Sequence, residues 1–324
     1  MPFRVMPSGY YIGEHVRKVE NLAATFQAVI ESSDQTAFQI FLRSVYSYAT
    51  NNFNKKDIKK AKSVLEKYDL KCVIHASYIY NLCGSADMST IKGTIKLEKT
   101  LASLAVDMDL AVGLENGTEI VVHMGSYKDK EKGIDIAVNS LNTLFSMNSL
   151  VTDKVGKLLN ISSAEVKKRR RICLENCAGE GSKIWSTLEE AKRIYFYPKL
   201  SENVREYGLY FCVDTAHTWG CGIYDFGKKG EVLRFKSDWE NTGIPFGKIS
   251  VLHLNDSLAE YKSFRDLHAL IGLGKMFNLT ENKKAEKRVK ELVKMFKNSI
   301  IISEPPSPSD YRSSNFIFQC LIQP

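Results

Sequence analysis

The stretch Tyr210-Phe-Cys-Val-Asp214-Thr-Ala-His217 places two ligand-type side chains at the end of a short apolar run. A continuous apolar run of this length is typical of a parallel strand that is covered on both faces. Asp214 and His217 stand three residues apart where the chain would leave that strand. Carboxylate and imidazole are ligands that zinc and similar ions accept in proteins. The stretch therefore predicts a buried strand that ends in a metal site.

The same kind of run recurs along the 324 residues. We predict eight strands, at Tyr10–Gly13, Ala37–Phe41, Cys72–Ala76, Ile120–His123, Ile172–Glu175, Tyr210–Asp214, Ile249–Leu254 and Ile300–Glu304. Helical patterns lie between them at Asn21–Glu31, Lys55–Tyr68, Ser89–Met108, Gly133–Phe145 and Ala285–Phe296, and Thr187 with Glu190 forms a capping box for another helix. Strands that alternate with helices predict the α/β class and a single (β/α)8 TIM barrel spanning residues 1–324, with a core at 10–305 and a tail at 306–324. An open doubly wound sheet is the alternative, but no glycine-rich phosphate turn follows the first strand.

Histidines and carboxylates concentrate at the predicted strand ends. Five of the six histidines follow this pattern, and the candidate ligands are His75, His123, Glu175, Asp214, His217, His253, Asp266, His268 and Glu304. Active sites of TIM barrels lie at the C-terminal ends of the strands, where residues from different strands converge. One histidine at a strand end is more often a structural residue, but nine ligand-type residues predict two or three ions that share carboxylates. His15 lacks the pattern, and we interpret it as a structural or supporting residue.

Charge and cysteine content bound the class of protein. The formal net charge of +8 favours an anionic partner such as nucleic acid, although many basic proteins bind none. Seven cysteines without any Cys-x-x-Cys pair predict reduced thiols. We find neither a signal-peptide core nor an apolar run of about 20 residues, so we expect an intracellular protein, cytoplasmic or nuclear, that is not secreted and binds no membrane.

The basic run Lys167-Lys-Arg-Arg-Arg171 stands directly before a predicted strand. Such a run could contact phosphates or act as a nuclear address. A barrel strand begins at the face opposite the active site, however. We therefore interpret the run as the solvated end of a helix at the bottom of the barrel. The apolar segment Phe316–Ile322 in the tail is expected to pack on the barrel.

Three longer motifs extend the pattern. They are His75-Ala-Ser-Tyr78-Ile-Tyr-Asn81, Cys212-Val-Asp214-Thr-Ala-His217, and His253-Leu-Asn255-Asp256-Ser257 followed by Asp266-Leu-His268. Two shorter motifs accompany them, His123-Met-Gly125-Ser126 and Glu175-Asn176-Cys-Ala-Gly179. In these residues the chain resembles the endonuclease IV family of apurinic/apyrimidinic (AP) DNA endonucleases, AP endonuclease family 2. The resemblance runs from about Tyr10 to Pro305.

The resemblance implies a TIM barrel that holds three zinc ions, with manganese as an alternative at one or more sites. By the matching motifs, the first ion would be held by His75, His123 and Glu175, the second by Glu175, Asp214, His253 and Glu304, and the third by His217, Asp266 and His268. The implied reaction is hydrolysis of the phosphodiester 5′ to an abasic site by a metal-activated hydroxide, which leaves a 3′-hydroxyl and a 5′-deoxyribose phosphate. Glu175 would bridge two ions and orient the attacking water.

The implied partner is double-stranded DNA that contains an abasic site, and we expect a monomer. Tyr78 and Ile79 follow His75 on a loop and are suited to enter the gap left by the missing base. Packing of Tyr78 in the core is the alternative. Tyr46 and Arg43, after the second strand, are further candidates for DNA contacts.

The chain departs from the family pattern at three positions. Ala216 stands in place of cysteine before His217, Met124 in place of proline, and Leu267 in place of arginine. The last change removes a contact to phosphate. A metal-dependent sugar isomerase or epimerase of the same barrel type is the main alternative, but it leaves the third ligand set unexplained. A structural zinc or DNA-binding protein is disfavoured because no cysteine is a predicted ligand.

Overall fold

Eight parallel strands close into a barrel in a computed structural model that describes residues 10–18, 20–49, 53–84, 90–280, 284–307 and 311–322. The barrel strands are β1 (Tyr11–His15), β2 (Ala37–Phe41), β3 (Lys71–His75), β4 (Glu119–His123), β5 (Ile172–Glu175), β6 (Leu209–Asp214), β7 (Ile249–His253) and β10 (Ile300–Ser303). They are hydrogen-bonded in the order β1-β10-β7-β6-β5-β4-β3-β2. Two short strands, β8 (Asp256–Ser257) and β9 (His268–Ala269), pair as an antiparallel ribbon after β7. The predicted TIM barrel is confirmed.

Helices lie between the strands. They are α1 (Leu22–Ser32), α2 (Lys55–Lys67), α3 (Ile91–Leu114), α4 (Lys130–Ser146), α5 (Thr152–Leu159), α6 (Ser163–Lys168), α7 (Leu188–Tyr195), α8 (Thr215–Gly220), α9 (Glu231–Thr242), α10 (Ala285–Met295) and α11 (Arg312–Ile322), with a π turn at Val204–Gly208 and a 3-10 turn at Phe246–Lys248. All five predicted helices are present within a few residues of their expected bounds, except that residue 89 lies outside the described ranges. Within the described residues, no helix combines the length and apolar character needed to cross a bilayer.

Side-chain caps explain where several helices begin. Asn21 and Asn54 accept hydrogen bonds from backbone N–H groups in the first turns of α1 and α2, which helix geometry leaves without a partner. Thr187 accepts from the N–H of Glu190, while the Glu190 carboxylate accepts from the N–H of Ser186 at 2.7 Å. The predicted capping box at α7 is therefore present in part, because the Glu190 carboxylate accepts from Ser186 and not from Thr187.

The strands bury both of their faces. One face packs under the helices, and the other fills the barrel interior with Ala37, Val73, Val121, Cys173, Cys212, Val251, Ile300 and Ile302. Because side chains of a strand alternate between faces, the residue two positions further on also points inward. For Val73, Val121 and Cys173 that residue is His75, His123 and Glu175. The repeat of two thus places candidate ligands at the top of the interior.

The basic run lies where the sequence predicts, at the start of β5 and opposite the candidate site. Its predicted solvation is wrong for Arg170, which is fully buried. The Arg170 guanidinium donates to Asp109 of α3 at 2.8 and 2.9 Å and to the carbonyls of Leu144 and Met147. Arg171 lies over the ring of Tyr210, 5.2 Å from its centroid. The inner part of this run therefore joins α3 and α4 to the barrel.

The C-terminal segment packs on the barrel, as expected. Ile317, Phe318 and Cys320 of α11 are buried. The buried carboxylate of Glu14 on β1 accepts from the backbone N–H groups of Tyr311 at 2.6 Å and Ser314 at 2.8 Å. These bonds satisfy the first N–H groups of α11 and hold it against β1.

Candidate metal centre

The carboxylate of Glu175 lies at the centre of a buried cluster at the C-terminal end of the barrel. Glu175 ends β5 and is 1% exposed. Its Oε2 lies 3.2 Å from Nε2 of His75 and 3.4 Å from Nε2 of His123. Its Oε1 lies 2.8 Å from Nδ1 of His253 and 3.6 Å from Nδ1 of His217. The two oxygens of one carboxylate therefore face two different groups of histidines.

Two further carboxylates complete the group around His253. Oε2 of Glu304 lies 3.2 Å from Nδ1 of His253, and Oδ2 of Asp214 lies 3.9 Å from the same nitrogen. One ligand atom from each of Glu175, Asp214, His253 and Glu304 falls within 4.8 Å of the others. Three carboxylates packed around one imidazole in a buried place need cations to balance their charge.

A third group lies at the mouth of the cluster. The two oxygens of Asp266 lie 3.2 Å from Nε2 of His217 and 3.2 Å from Nε2 of His268. Oδ2 of Asp214 is 3.5 Å from Nε2 of His268, so Asp214 stands between the second and third groups. The side chain of Asp266 is 36% exposed, whereas that of Glu175 is nearly inaccessible. The structure thus brings the nine predicted residues together, with the third group facing solvent.

Hydrogen bonds to carbonyls fix the orientation of two imidazoles. Nδ1 of His75 lies 2.8 Å from the carbonyl oxygen of Ala76, which can only accept, so this nitrogen carries the proton. Nδ1 of His217 donates in the same way to the carbonyl of Asn176 at 2.8 Å. When either ring is neutral, the form that binds metal, its lone pair is therefore on Nε2, which faces a carboxylate of the cluster. This is the arrangement by which proteins prepare histidine for metal binding.

Two further observations test whether the residues suit a metal ion. Nδ1 of His123 is buried and has no hydrogen-bond partner among the residues that the structure describes. Nδ1 of His253 lies 2.8 Å from a carboxylate oxygen of Glu175, although Nε2 of the same ring donates to Gln39. Two lone pairs at that separation repel each other unless a cation, either a proton or a metal ion, lies between them. Imidazole and carboxylate ligands together match divalent ions of the zinc class.

The charge states of Glu175 and His123 also suit metal binding. Burial alone would raise the pKa of Glu175, but the surrounding histidines outweigh burial and hold the pKa well below its ordinary value. Burial lowers the pKa of the His123 imidazole to about 4. At neutral pH the first residue is therefore a carboxylate and the second a neutral imidazole, the forms in which they bind metals.

Two asparagines hold the carboxylates in place. Nδ2 of Asn255 donates to Asp214 at 2.6 Å and to Glu304 at 3.2 Å, and its Oδ1 accepts from the backbone N–H of Glu304 at 2.7 Å. Oδ1 of Asn176 accepts from the backbone N–H of Asp214 at 2.6 Å. Both asparagines lie in the motifs quoted above. Asn176 directly follows Glu175, and Asn255 lies two residues after His253. Asn255 thus orients the carboxylates of Asp214 and Glu304 directly, whereas Asn176 holds the backbone of Asp214.

Sequence reasoning missed Gln39 as a residue of this site. Gln39 lies in the middle of β2 with its side chain fully buried, beside His15, Glu304 and His253. The signal was present, since Gln39 is the one polar residue in the apolar run Ala37–Phe41. His15 ends β1 rather than following it, and burial lowers the pKa of its imidazole to about 4. This agrees with its interpretation as a supporting residue.

Comparison with known proteins identifies the family. The family model for AP endonuclease 2, described as a xylose isomerase-like TIM barrel, matches residues 28–285. This chain belongs to AP endonuclease family 2, the endonuclease IV family. Endonuclease 4 of the bacterium Thermus thermophilus is 28% identical over 277 residues, which are 85% of this chain and 84% of the relative.

Solved structures show the fold of the family. Endonuclease IV from a second strain of Thermus thermophilus has a TM-score of 0.70 at 24% identity and covers 95% of this chain and 96% of its own. A D-tagatose 3-epimerase-like protein has a TM-score of 0.59 at 17% identity, and the match covers 95% of this chain and 96% of that protein. The same barrel is thus shared by endonuclease IV and by proteins that resemble sugar epimerases.

An aromatic rim lies beside the candidate ligands. The ring of Tyr78 is 48% exposed, contacts His75 at a centroid distance of 5.2 Å, and lies 6.2 Å from the ring of Tyr46. Tyr46 is 72% exposed, and Ile79 is partly buried next to Tyr78. The Tyr78 ring therefore stands at the mouth of the cluster, so the alternative of complete core packing does not hold.

Arg43 takes a different place from the one expected. Its side chain is 4% exposed and forms an ion pair with Asp107, which is itself buried. The same guanidinium donates to the carbonyls of Tyr48 and Ala49. A side chain held in this way supports the loop after β2 and is not available to a DNA backbone. The prediction that Arg43 contacts DNA is therefore wrong.

Lys183 is a second residue that sequence reasoning missed. It lines a cleft of about 510 Å³ together with Tyr78, His123 and Asp266. An isolated antiparallel bridge joins its backbone to Ser126, and its ammonium lies 2.9 Å from Glu180. A partly exposed cation therefore lies on the wall of the cleft that Tyr78 also lines. Its only sequence signal was its position eight residues after Glu175.

Proposed function

We propose that this protein is a zinc-dependent DNA-repair endonuclease that hydrolyses the phosphodiester 5′ to an abasic site in duplex DNA. The products would be a 3′-hydroxyl and a 5′-deoxyribose phosphate. The observation that carries the proposal is the joining of nine imidazole and carboxylate ligands into three adjacent groups at the open end of an endonuclease IV barrel. Three groups that share carboxylates suit a reaction on a charged phosphodiester.

Each group would hold one ion. The first consists of His75, His123 and Glu175, the second of Glu175, Asp214, His253 and Glu304, and the third of His217, Asp266 and His268. The chemistry that three such ions supply when bound is activation of water near neutral pH and neutralisation of charge on phosphoryl oxygens. Zinc suits the ligand set, and manganese is the alternative at one or more positions.

Glu175 is the residue to which we assign the central role in the reaction. Its carboxylate spans the first two groups, with one oxygen toward His75 and the other toward His253. It is fixed by these contacts and by burial, so it can orient the attacking water without reorganising during the reaction. Asn255 holds the neighbouring carboxylate of Asp214, and Asn176 holds the backbone of the same residue.

The aromatic rim would engage the DNA. An abasic nucleotide has no base to stack, so turning it out of the duplex costs less than flipping an intact nucleotide. Tyr78 and Tyr46 present exposed rings beside the ligands, and Ile79 adds an apolar edge. Rings and apolar side chains that enter a base step stabilise bent DNA. One copy of the chain carries all of these residues, which fits a monomer.

Incision of defined oligonucleotides tests the proposal. Zinc-loaded protein should cut a labelled duplex with one tetrahydrofuran abasic analogue on the 5′ side of the analogue, and a polymerase should extend the new 3′ end. An undamaged duplex of the same sequence is the control. If the protein binds three zinc ions but leaves the duplex intact, the proposal is wrong. Epimerisation of a ketohexose by that same preparation would establish the sugar-enzyme alternative.

A further inference from the structure

Gln39 completes the polar layer just below the metal ligands. It pairs in register with His15 on β1 and with Val73 on β3, and its side chain points into the barrel interior. The neighbouring interior position on β2 is Ala37, in the apolar layer below. An amide on the inner wall of a barrel is costly unless all of its hydrogen-bonding groups have partners.

The Gln39 amide has a partner for each of its groups. Nε2 lies 2.7 Å from Oε1 of Glu304 and 3.2 Å from Nδ1 of His15, and Oε1 lies 2.9 Å from Nε2 of His253. An ionised carboxylate can only accept, so the NH2 group must face Glu304. The amide oxygen then faces His253, and Nε2 of that ring must carry a proton. The contacts thus fix both the orientation of the amide and the tautomer of the histidine.

When the ring is neutral, as it is in a metal complex, this tautomer leaves the lone pair of His253 on Nδ1. Nδ1 is the nitrogen that faces Oε1 of Glu175 at 2.8 Å and Oε2 of Glu304 at 3.2 Å. The bond from Gln39 also engages Oε1 of Glu304, which turns the other oxygen of that carboxylate toward the cluster. One amide therefore orients two ligands of the second group at the same time.

We propose that Gln39 is a positioning residue that presents His253 and Glu304 to the second metal ion. This inference rests on the metal centre of the proposed function, but it does not depend on the DNA substrate. Outer partners of metal ligands fix ring orientation, and their loss typically weakens metal binding by about 10-fold to 100-fold. A purely structural role for the amide would change the stability of the metal-free protein and leave zinc affinity alone.

Zinc affinity of Gln39→Met and Gln35→Met distinguishes the two roles. Methionine has a similar length but forms none of the three bonds. Gln35 is a matched control because it is also a buried glutamine, and it bonds to the N–H of Glu14 and to Ser314 away from the ligands. Competition with a chromogenic chelator measures the affinity of each zinc ion, and thermal unfolding without zinc measures stability.

We expect Gln39→Met to bind one of its zinc ions about 10-fold to 100-fold more weakly, whereas Gln35→Met binds zinc as the native protein does. Gln39→Asn is a second variant for the case in which Gln39→Met does not fold. It keeps an amide in the barrel, but its side chain is too short to form all three bonds, so we expect the same loss of zinc affinity. Native affinity in the folded Gln39 variants, or an equal loss in Gln35→Met, would overturn the assignment. A native protein that binds no zinc would overturn the proposed metal centre itself.

Discussion

Replacement of Glu175 by glutamine is the most direct test of the centre. Glutamine keeps the size of the side chain but removes its negative charge and turns one oxygen into an NH2 donor. Four histidine nitrogens lie within 3.6 Å of this carboxylate. The NH2 group of the glutamine would therefore lie among the imidazoles that we propose as metal ligands, and it cannot bind a metal ion. Two ions would lose a shared ligand. We expect at least one zinc ion to be lost and single-turnover incision to slow by about 1,000-fold or more.

A 1,000-fold slower rate corresponds to an activation free energy that is higher by about 4 kcal/mol, because each tenfold change in rate equals about 1.36 kcal/mol. It lies at the upper end of the roughly 100-fold to 1,000-fold loss caused by removing one pre-positioned electrostatic group, and Glu175 serves two groups rather than one. Glu119→Gln is the matched control, because Glu119 is a buried glutamate at the other end of the barrel, in contact with Cys173 and Ser250. It should change stability and spare incision. A Glu175→Gln protein with three zinc ions and a rate within about tenfold of native would refute the role of this residue.

Three more substitutions test other parts of the molecule. Arg170→Met leaves the buried carboxylate of Asp109 without its cation and should lower the free energy of unfolding in urea by about 3–5 kcal/mol, with the affinity for DNA unchanged. Lys183→Gln should weaken duplex binding and reduce the slope of log affinity against log salt by about 0.9, whereas Lys199→Gln, on the outer surface, should leave the slope unchanged. Tyr78→Ala should weaken binding of the abasic duplex by about 1–3 kcal/mol, measured by fluorescence anisotropy, and an equal loss on undamaged duplex would contradict its role beside the abasic site.

The barrel and the convergence of the nine candidate residues could be predicted from two sequence patterns, the apolar run of each strand and the alternation of its side chains. Apolar runs such as Cys72–His75 show that a strand is buried on both faces, and closure of a parallel sheet brings the ends of such strands together. The repeat of two within each strand then selects the interior residue. His15 illustrates the limit of this method, because β1 extends two residues beyond its predicted end and carries His15 into the barrel wall.

Contacts of long polar side chains could not be predicted in this way. Arg43 reaches Asp107, which is 64 residues away in sequence, and no local pattern indicates that partner. Arg170 likewise finds Asp109 on α3, although its neighbours in the run predict a solvated helix end. The partner of a flexible side chain depends on which distant helix packs beside it, and this is fixed only when the tertiary fold forms.

The charge that the proposed three-ion centre would carry gives a physical reason for the proposed substrate. The nine proposed ligands comprise four carboxylates, Glu175, Asp214, Asp266 and Glu304, and five histidines, which would bind metal ions as neutral rings. With three divalent ions bound, the centre would keep a net charge of about +2 in a place that excludes water from all but its mouth. A neutral sugar would gain little from that charge, whereas a phosphodiester group would be attracted to it. Because this positive charge would belong to the centre itself, we expect Leu267, which stands between Asp266 and His268, to weaken only an outer contact to DNA and to leave the attraction for the phosphodiester in place.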